Sequence, residues 1–84
     1  MRSDTVLTYT VYFQPAEEGG YVASVPALPG CMSQGETFEE TREHIADAIH
    51  GYLHVLAQDG DEIPIEQEYV TAQVRVDRLF EAGL

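Results

Sequence analysis

Residues 37–60, TFEETREHIADAIHGYLHVLAQDG, decide the fold. Thr37 followed by Glu40 has the spacing of a capping box, in which a hydroxyl and a later carboxylate satisfy the first backbone N–H groups of a helix. Phe38, Ile45, Ile49, Tyr52, Leu53 and Leu56 recur at helical spacing and form one apolar face. Glu39, Glu40, Glu43, Asp47, His50, His54 and Gln58 form the opposite face. Gly60 can adopt the left-handed conformation that closes a helix, and Pro64 prevents an early restart. The spacing predicts a single amphipathic rod of about 30 Å.

Everything around this helix is short and β-like. Upstream, residues 6–13, VLTYTVYF, alternate, with Leu7, Tyr9, Val11 and Phe13 on one face and Thr8, Thr10 and Tyr12 on the other. Residues 14–20, QPAEEGG, read as a turn with Glu17 and Glu18 at its tip, and residues 21–25, YVASV, as the returning strand of a hairpin. The run PALPGC, residues 26–31, is a rigid bend, because each proline fixes its backbone and lacks a donor. A brief third strand is expected over residues 31–34. Downstream, an acidic loop over residues 59–68 precedes YVTAQVRV, residues 69–76, where Val70, Ala72, Val74 and Val76 share a face and predict a fourth strand. Residues 1–4 are a polar lead-in, and residues 77–84 a tail with room for one turn of helix.

The order strand–strand–strand–helix–strand describes an α+β fold. It is a small mixed sheet, a three-strand antiparallel meander plus one strand made parallel by the helical crossover, with the helix on one face. The 84 residues allow one domain, 1–84, with a core over about 5–76. A domain this small gains from sharing its core, so a homo-dimer or homo-tetramer is expected.

Charge and composition narrow the function. Apolar residues make up 44% of the chain, which is in the globular range. Four Arg, no Lys and fifteen Asp or Glu give a net charge of −11. Such a surface disfavours direct contact with nucleic acid, which draws on Lys and Arg, and favours a basic partner. A single cysteine, Cys31, excludes an internal disulfide and a cysteine-based zinc site. No signal peptide or membrane-length apolar run is visible, so a cytoplasmic protein is expected.

The run from Tyr9 to Pro64 resembles the HicB-like antitoxin domain. The carrying features are the aromatic-aliphatic first strand, the Gly-Gly-Tyr-Val return at residues 19–22 and the Pro-x-Leu-Pro-Gly-Cys bend. They are followed by the Gln34-Gly35 step into an acid-rich helix start, the Tyr52-Leu53 pair and the acidic Gly–Ile–Pro loop. The resemblance implies a partial ribonuclease H-like fold. It also implies a protein that binds and silences a HicA-like toxin, a small basic ribonuclease that cuts messenger RNA with a histidine, within a type II toxin–antitoxin system. Many members carry a C-terminal DNA-binding module, and the residues after Pro64 are too few for one to form a separate unit. The alternative is a stand-alone oligomeric module of the same fold with no toxin; a degenerate metal-dependent nuclease is a further one.

No catalytic set is visible. Ribonuclease H-like enzymes converge carboxylates on metals, one of them from the first strand, and residues 6–13 contain none. No cofactor is expected. Glu43, Asp47, His50 and His54 form a helical stripe at i, i+4, i+7 and i+11, in which His50 and His54 with Asp47 are weak candidates for zinc or nickel; a solvated face is the plainer reading. Cys31 has no basic neighbour to activate it and reads as a packed hydrophobe. Gly51 lies within the helix, where either close approach of a partner chain or tolerated drift accounts for it. The acids Glu17, Glu18, Glu36, Glu39, Glu40 and Glu43 are the candidate surface for a basic toxin, with Tyr21 or Leu28 as the apolar anchor.

Overall fold

The computed structural model describes residues 6–82. The lead-in at residues 1–4 and the last two residues of the expected tail lie outside that range. Three strands, β1 (Tyr12–Pro15), β2 (Tyr21–Ser24) and β3 (Met32–Gly35), form an antiparallel sheet in the order β1-β2-β3. The helix α1 (Phe38–Gln58) follows, and a single turn, α2 (Leu79–Ala82), occurs later. The meander and the long helix of the predicted α+β fold are present.

The ends of α1 follow from its sequence. The Thr37 side chain accepts from the Glu40 N–H at 3.0 Å, and the Glu40 carboxylate accepts from the Glu36 N–H at 2.7 Å. The carboxylate therefore reaches one residue further back than the usual capping box, and the acidic pair Glu36–Glu40 is fixed in place by it. At the other end Gly60 takes φ +75°, the Gly60 N–H donates to the Ala57 carbonyl and the Asp61 N–H to the Leu56 carbonyl. These are the two bonds of the Schellman motif.

The helix packs chiefly over β3 and β2. Ala23, Val25, Leu28, Cys31 and Ile45 are buried, and Tyr9, Val11, Phe13, Ile49, Tyr52 and Leu53 close around them. Phe38 sits 4.6 Å from the Phe13 ring and edge-on to Tyr21. Thr41 is fully buried on the apolar side of α1, with its hydroxyl donating to the Thr37 carbonyl at 2.7 Å. Its small side chain lets β3 come close, and a Cβ on Gly35 would lie 2.7 Å from the Thr41 oxygen.

The sheet departs from expectation at two places. The first strand pairs only from Tyr12 onward, because β2 ends at Ser24 and the chain then turns away into the proline bend. Residues 6–11 thus have no returning strand to pair with. The fourth strand expected over residues 69–76, parallel in a mixed sheet, does not form: these residues make no ladder, and each is exposed. The return after α1 is held by side chains instead. Tyr9 Oη donates to the Pro64 carbonyl, the Thr10 N–H donates to Glu66 Oε1 at 2.6 Å, and the Thr10 hydroxyl donates to the second Glu66 oxygen. A carboxylate has taken the place of a strand at this edge.

Burial, and secondarily the Glu66 charge, raises the Tyr9 pKa above its ordinary value of 10.0. Folded Tyr9 keeps its proton to higher pH than the unfolded chain does. The contribution of Tyr9 is therefore complete below pH 10.0 and is lost as pH rises toward and through the folded value. Thermal midpoints measured across this range should fall for the wild type, and less steeply for Tyr9→Phe.

Candidate functional site

The hairpin tip, the end of β3 and the start of α1 meet around a cleft of about 370 Å³. Its walls include Glu18, Tyr21, Gln34, Glu36, Glu40 and His44. The tip is built by Gly19 and Gly20, both at positive φ, with the Ala16 N–H donating to the Gly20 carbonyl at 2.9 Å. That closure swings Glu18 back toward the helix start. Glu36 and Glu40 are set by the cap described above. Three carboxylates separated by up to 22 positions in the chain thereby border one opening.

Tyr21 forms a half-buried wall of the cleft, its ring edge-on to Phe38. His44 Nδ1 lies 2.7 Å from the Gln34 carbonyl. A carbonyl only accepts, so Nδ1 carries a proton, and this bond pins the imidazole against β3. Glu39 and Glu40 in the first turn of α1 also lie at the positive end of the helix dipole, an arrangement that stabilises the helix. The arrangement suits a cation, such as a guanidinium or ammonium on a partner's surface, and offers no nucleophile paired with a base.

Of the residues predicted to meet a partner, Glu18, Tyr21, Glu36 and Glu40 come together at this cleft. Glu17 is exposed on the hairpin tip beside it. Glu39 and Glu43 face a separate shallow cleft with Arg42 and Ala46. Leu28 is not at the surface: it is 0% exposed, at the centre of the core. The bend folds into two successive turns, with the Leu28 N–H donating to the Val25 carbonyl and the Cys31 N–H to the Leu28 carbonyl, and this tucks the side chain inward while Pro26 and Pro29 face out. The Tyr52 hydroxyl, donating to the Pro29 carbonyl at 2.8 Å, ties the bend to α1. His44 and Gln34 were missed by sequence reasoning, although His44 lies four residues beyond Glu40 on the same helical stripe.

The metal candidates do not assemble. Among the described residues no group of three or more His, Cys, Asp or Glu side chains could hold an ion. Asp47, His50 and His54 are exposed and spread along the rod, so they do not converge. Cys31 is buried in the core, and desolvation pushes its thiol pKa up, which keeps it protonated and inert. A Cβ on Gly51 would meet nothing within 4 Å. Among the described residues no helix is long and apolar enough to cross a membrane.

Comparison with known proteins decides the family. Residues 9–80 match the model of the HicB-like antitoxin of bacterial toxin–antitoxin systems. The chain belongs to the HicB-like antitoxin family. A UPF0150 protein of Thermoplasma acidophilum is 43% identical over 58 residues, covering 69% of this chain and 84% of the relative. A UPF0150 protein of Synechocystis is 51% identical over 58 residues, covering 69% of this chain and 80% of the relative. Antitoxin HicB 1 of Photorhabdus laumondii is 35% identical over 74 residues, covering 83% of this chain and 48% of that protein. Against this HicB-named antitoxin the match spans about half of the longer protein.

Proposed function

We propose that this chain is the antitoxin of a type II HicAB pair, binding a small basic HicA-type toxin in the cytoplasm and occluding it without catalysis. The observation that carries this reading is the convergence of Glu18, Glu36 and Glu40 on one cleft against the Tyr21 wall, in a chain of net charge −11. Those carboxylates stand in for RNA phosphates and engage the Lys and Arg that the toxin uses to hold RNA, covering its catalytic histidine. Glu17, Glu39 and Glu43 flank the contact and contribute mainly to the rate of encounter.

The test is titration of the chain with the basic protein encoded beside it. A stable complex that weakens as salt is added is expected. The double variant Glu18→Lys, Glu36→Lys should lose affinity by at least about tenfold, the scale of charge pairs at a desolvated contact. Neither acid is buried, so both reversals should leave the fold intact. Binding that ignores both salt and the double reversal would reject the cleft as the contact.

A second reading, a stand-alone oligomeric module with no toxin, is favoured by the open apolar residues Val70, Val74 and Val76. Self-association into a homo-dimer or homo-tetramer belongs to both readings.

A further inference from the structure

The residues expected to form a fourth strand keep the composition of one, yet their own chain's sheet is too short to take most of them. The return after α1 passes Tyr9 at Pro64 and Thr10 at Glu66, so it runs in the same direction as residues 9–10. The offset between Thr10 and Glu66 is 56 positions. A parallel continuation at that offset would set Tyr69 beside Phe13 and Ala72 beside Ala16, already past the end of β1 at Pro15. Most of residues 69–76 therefore overshoots the sheet. The molecule is accordingly elongated, 56 Å along one axis against 29 and 23 Å on the others. Val70 is 96% exposed, and Val74 and Val76 are also open to solvent.

The arm is self-complementary. Laid antiparallel on a second copy about an axis through Gln73, Val70 faces the other copy's Val76 and Ala72 faces its Val74. All four apolar positions then share one face of the ribbon with no polar residue among them. On the opposite face Thr71 lies across from Arg75, and Tyr69 from Asp77. Arg75 is the only charge within residues 69–76, so this is where two chains of net charge −11 can approach without mutual repulsion. Leu79 and Phe80, both exposed, add apolar surface directly after it.

We propose that residues 69–76 of two copies pair antiparallel about a two-fold axis at Gln73, joining two complete helix-on-sheet bodies through a shared ribbon. The proposal deepens the self-association named above and rests on it. None of residues 69–76 lines the acidic cleft.

The test combines sedimentation with cross-linking of the full chain. The wild type should sediment as a dimer at micromolar concentration, and Val74→Asp as a monomer that keeps its helical circular dichroism, because Val74 is exposed and lies outside the core cluster. Residues on the axis have Cα atoms about 4.5–5.5 Å apart, within disulfide range. Gln73→Cys should therefore cross-link most of the chain on mild oxidation, while Gln58→Cys on the exposed face of α1 should not; Cys31 is buried and silent. A monomeric wild type would overturn self-association and the ribbon together. A dimer that survives Val74→Asp and gives Gln73→Cys no more cross-link than Gln58→Cys would overturn the ribbon alone. Amide protection of residues 69–76 in a monomer would place the strand in its own chain's sheet and overturn it as well.

Discussion

Gly20→Ala should destabilise the fold by about 3 kcal/mol or more, a large effect for one added methyl group. Two costs combine. Gly20 holds φ +79°, where an alanine is strained by about 1–2 kcal/mol. Its Cβ would also stand 2.4 Å from the Gly35 carbonyl oxygen, with further Gly35 and Glu36 backbone atoms within 3.3 Å. Those atoms are backbone at the end of β3, opposite Tyr21 in the ladder, and cannot turn aside as a flexible side chain could. Relief would require prising β2 from β3 where they carry Glu36 to the cleft. Gly60→Ala is the matched control. Its φ is +75° but nothing lies within 4 Å of the added carbon, so only the backbone strain is expected. Urea unfolding midpoints of the two variants would separate the clash from the strain; equal losses would show that the hairpin relaxes freely.

Leu28→Ala comes next, with an expected loss of about 3 kcal/mol, inside the range of 2–5 for emptying a fully buried leucine site. Leu28 is 0% exposed and shares the core with Ala23, Val25, Cys31 and Ile45. Those neighbours are mostly small, and the bend carrying Leu28 is fixed by two prolines and by the Tyr52–Pro29 hydrogen bond. The site therefore has little means of collapsing around the vacancy. Domains of this kind hold about 5–15 kcal/mol of net stability, so either substitution removes a large part of it. Calorimetric midpoints for Leu28→Ala and the milder Leu28→Met would check this, the second being nearly neutral because volume is kept.

The helix was legible because both of its ends are written in local chemistry. Thr37 and Gly60 act within a few residues of themselves, and no tertiary contact is needed to read them. The meander was legible for the same reason, through its glycines and the Pro26–Gly30 bend. Strand extent was not, since the alternation in residues 6–11 says only that a strand could exist, and whether it pairs depends on how far β2 runs back. The same limit applies to residues 69–76, whose pattern specifies a face but no neighbour. Leu28 was misread because a leucine between prolines looks surface-borne, whereas two tight turns reverse its direction. The acidic cleft was half legible. Glu36 and Glu40 could be linked through the cap, but bringing Glu18 to them needs the hairpin register, and His44 enters only through its bond to the Gln34 carbonyl.

The far end of α1 has no basic residue in its last turn, and Asp59, Asp61 and Glu62 follow directly. The negative pole of the helix thus meets more negative charge, an unfavourable arrangement that dissolved ions relieve. Electrolyte should consequently act in opposite senses on the free chain and on the complex proposed above: it calms the first and loosens the second. Buffers in which the isolated protein is most comfortable to handle are those least suited to capturing what it binds.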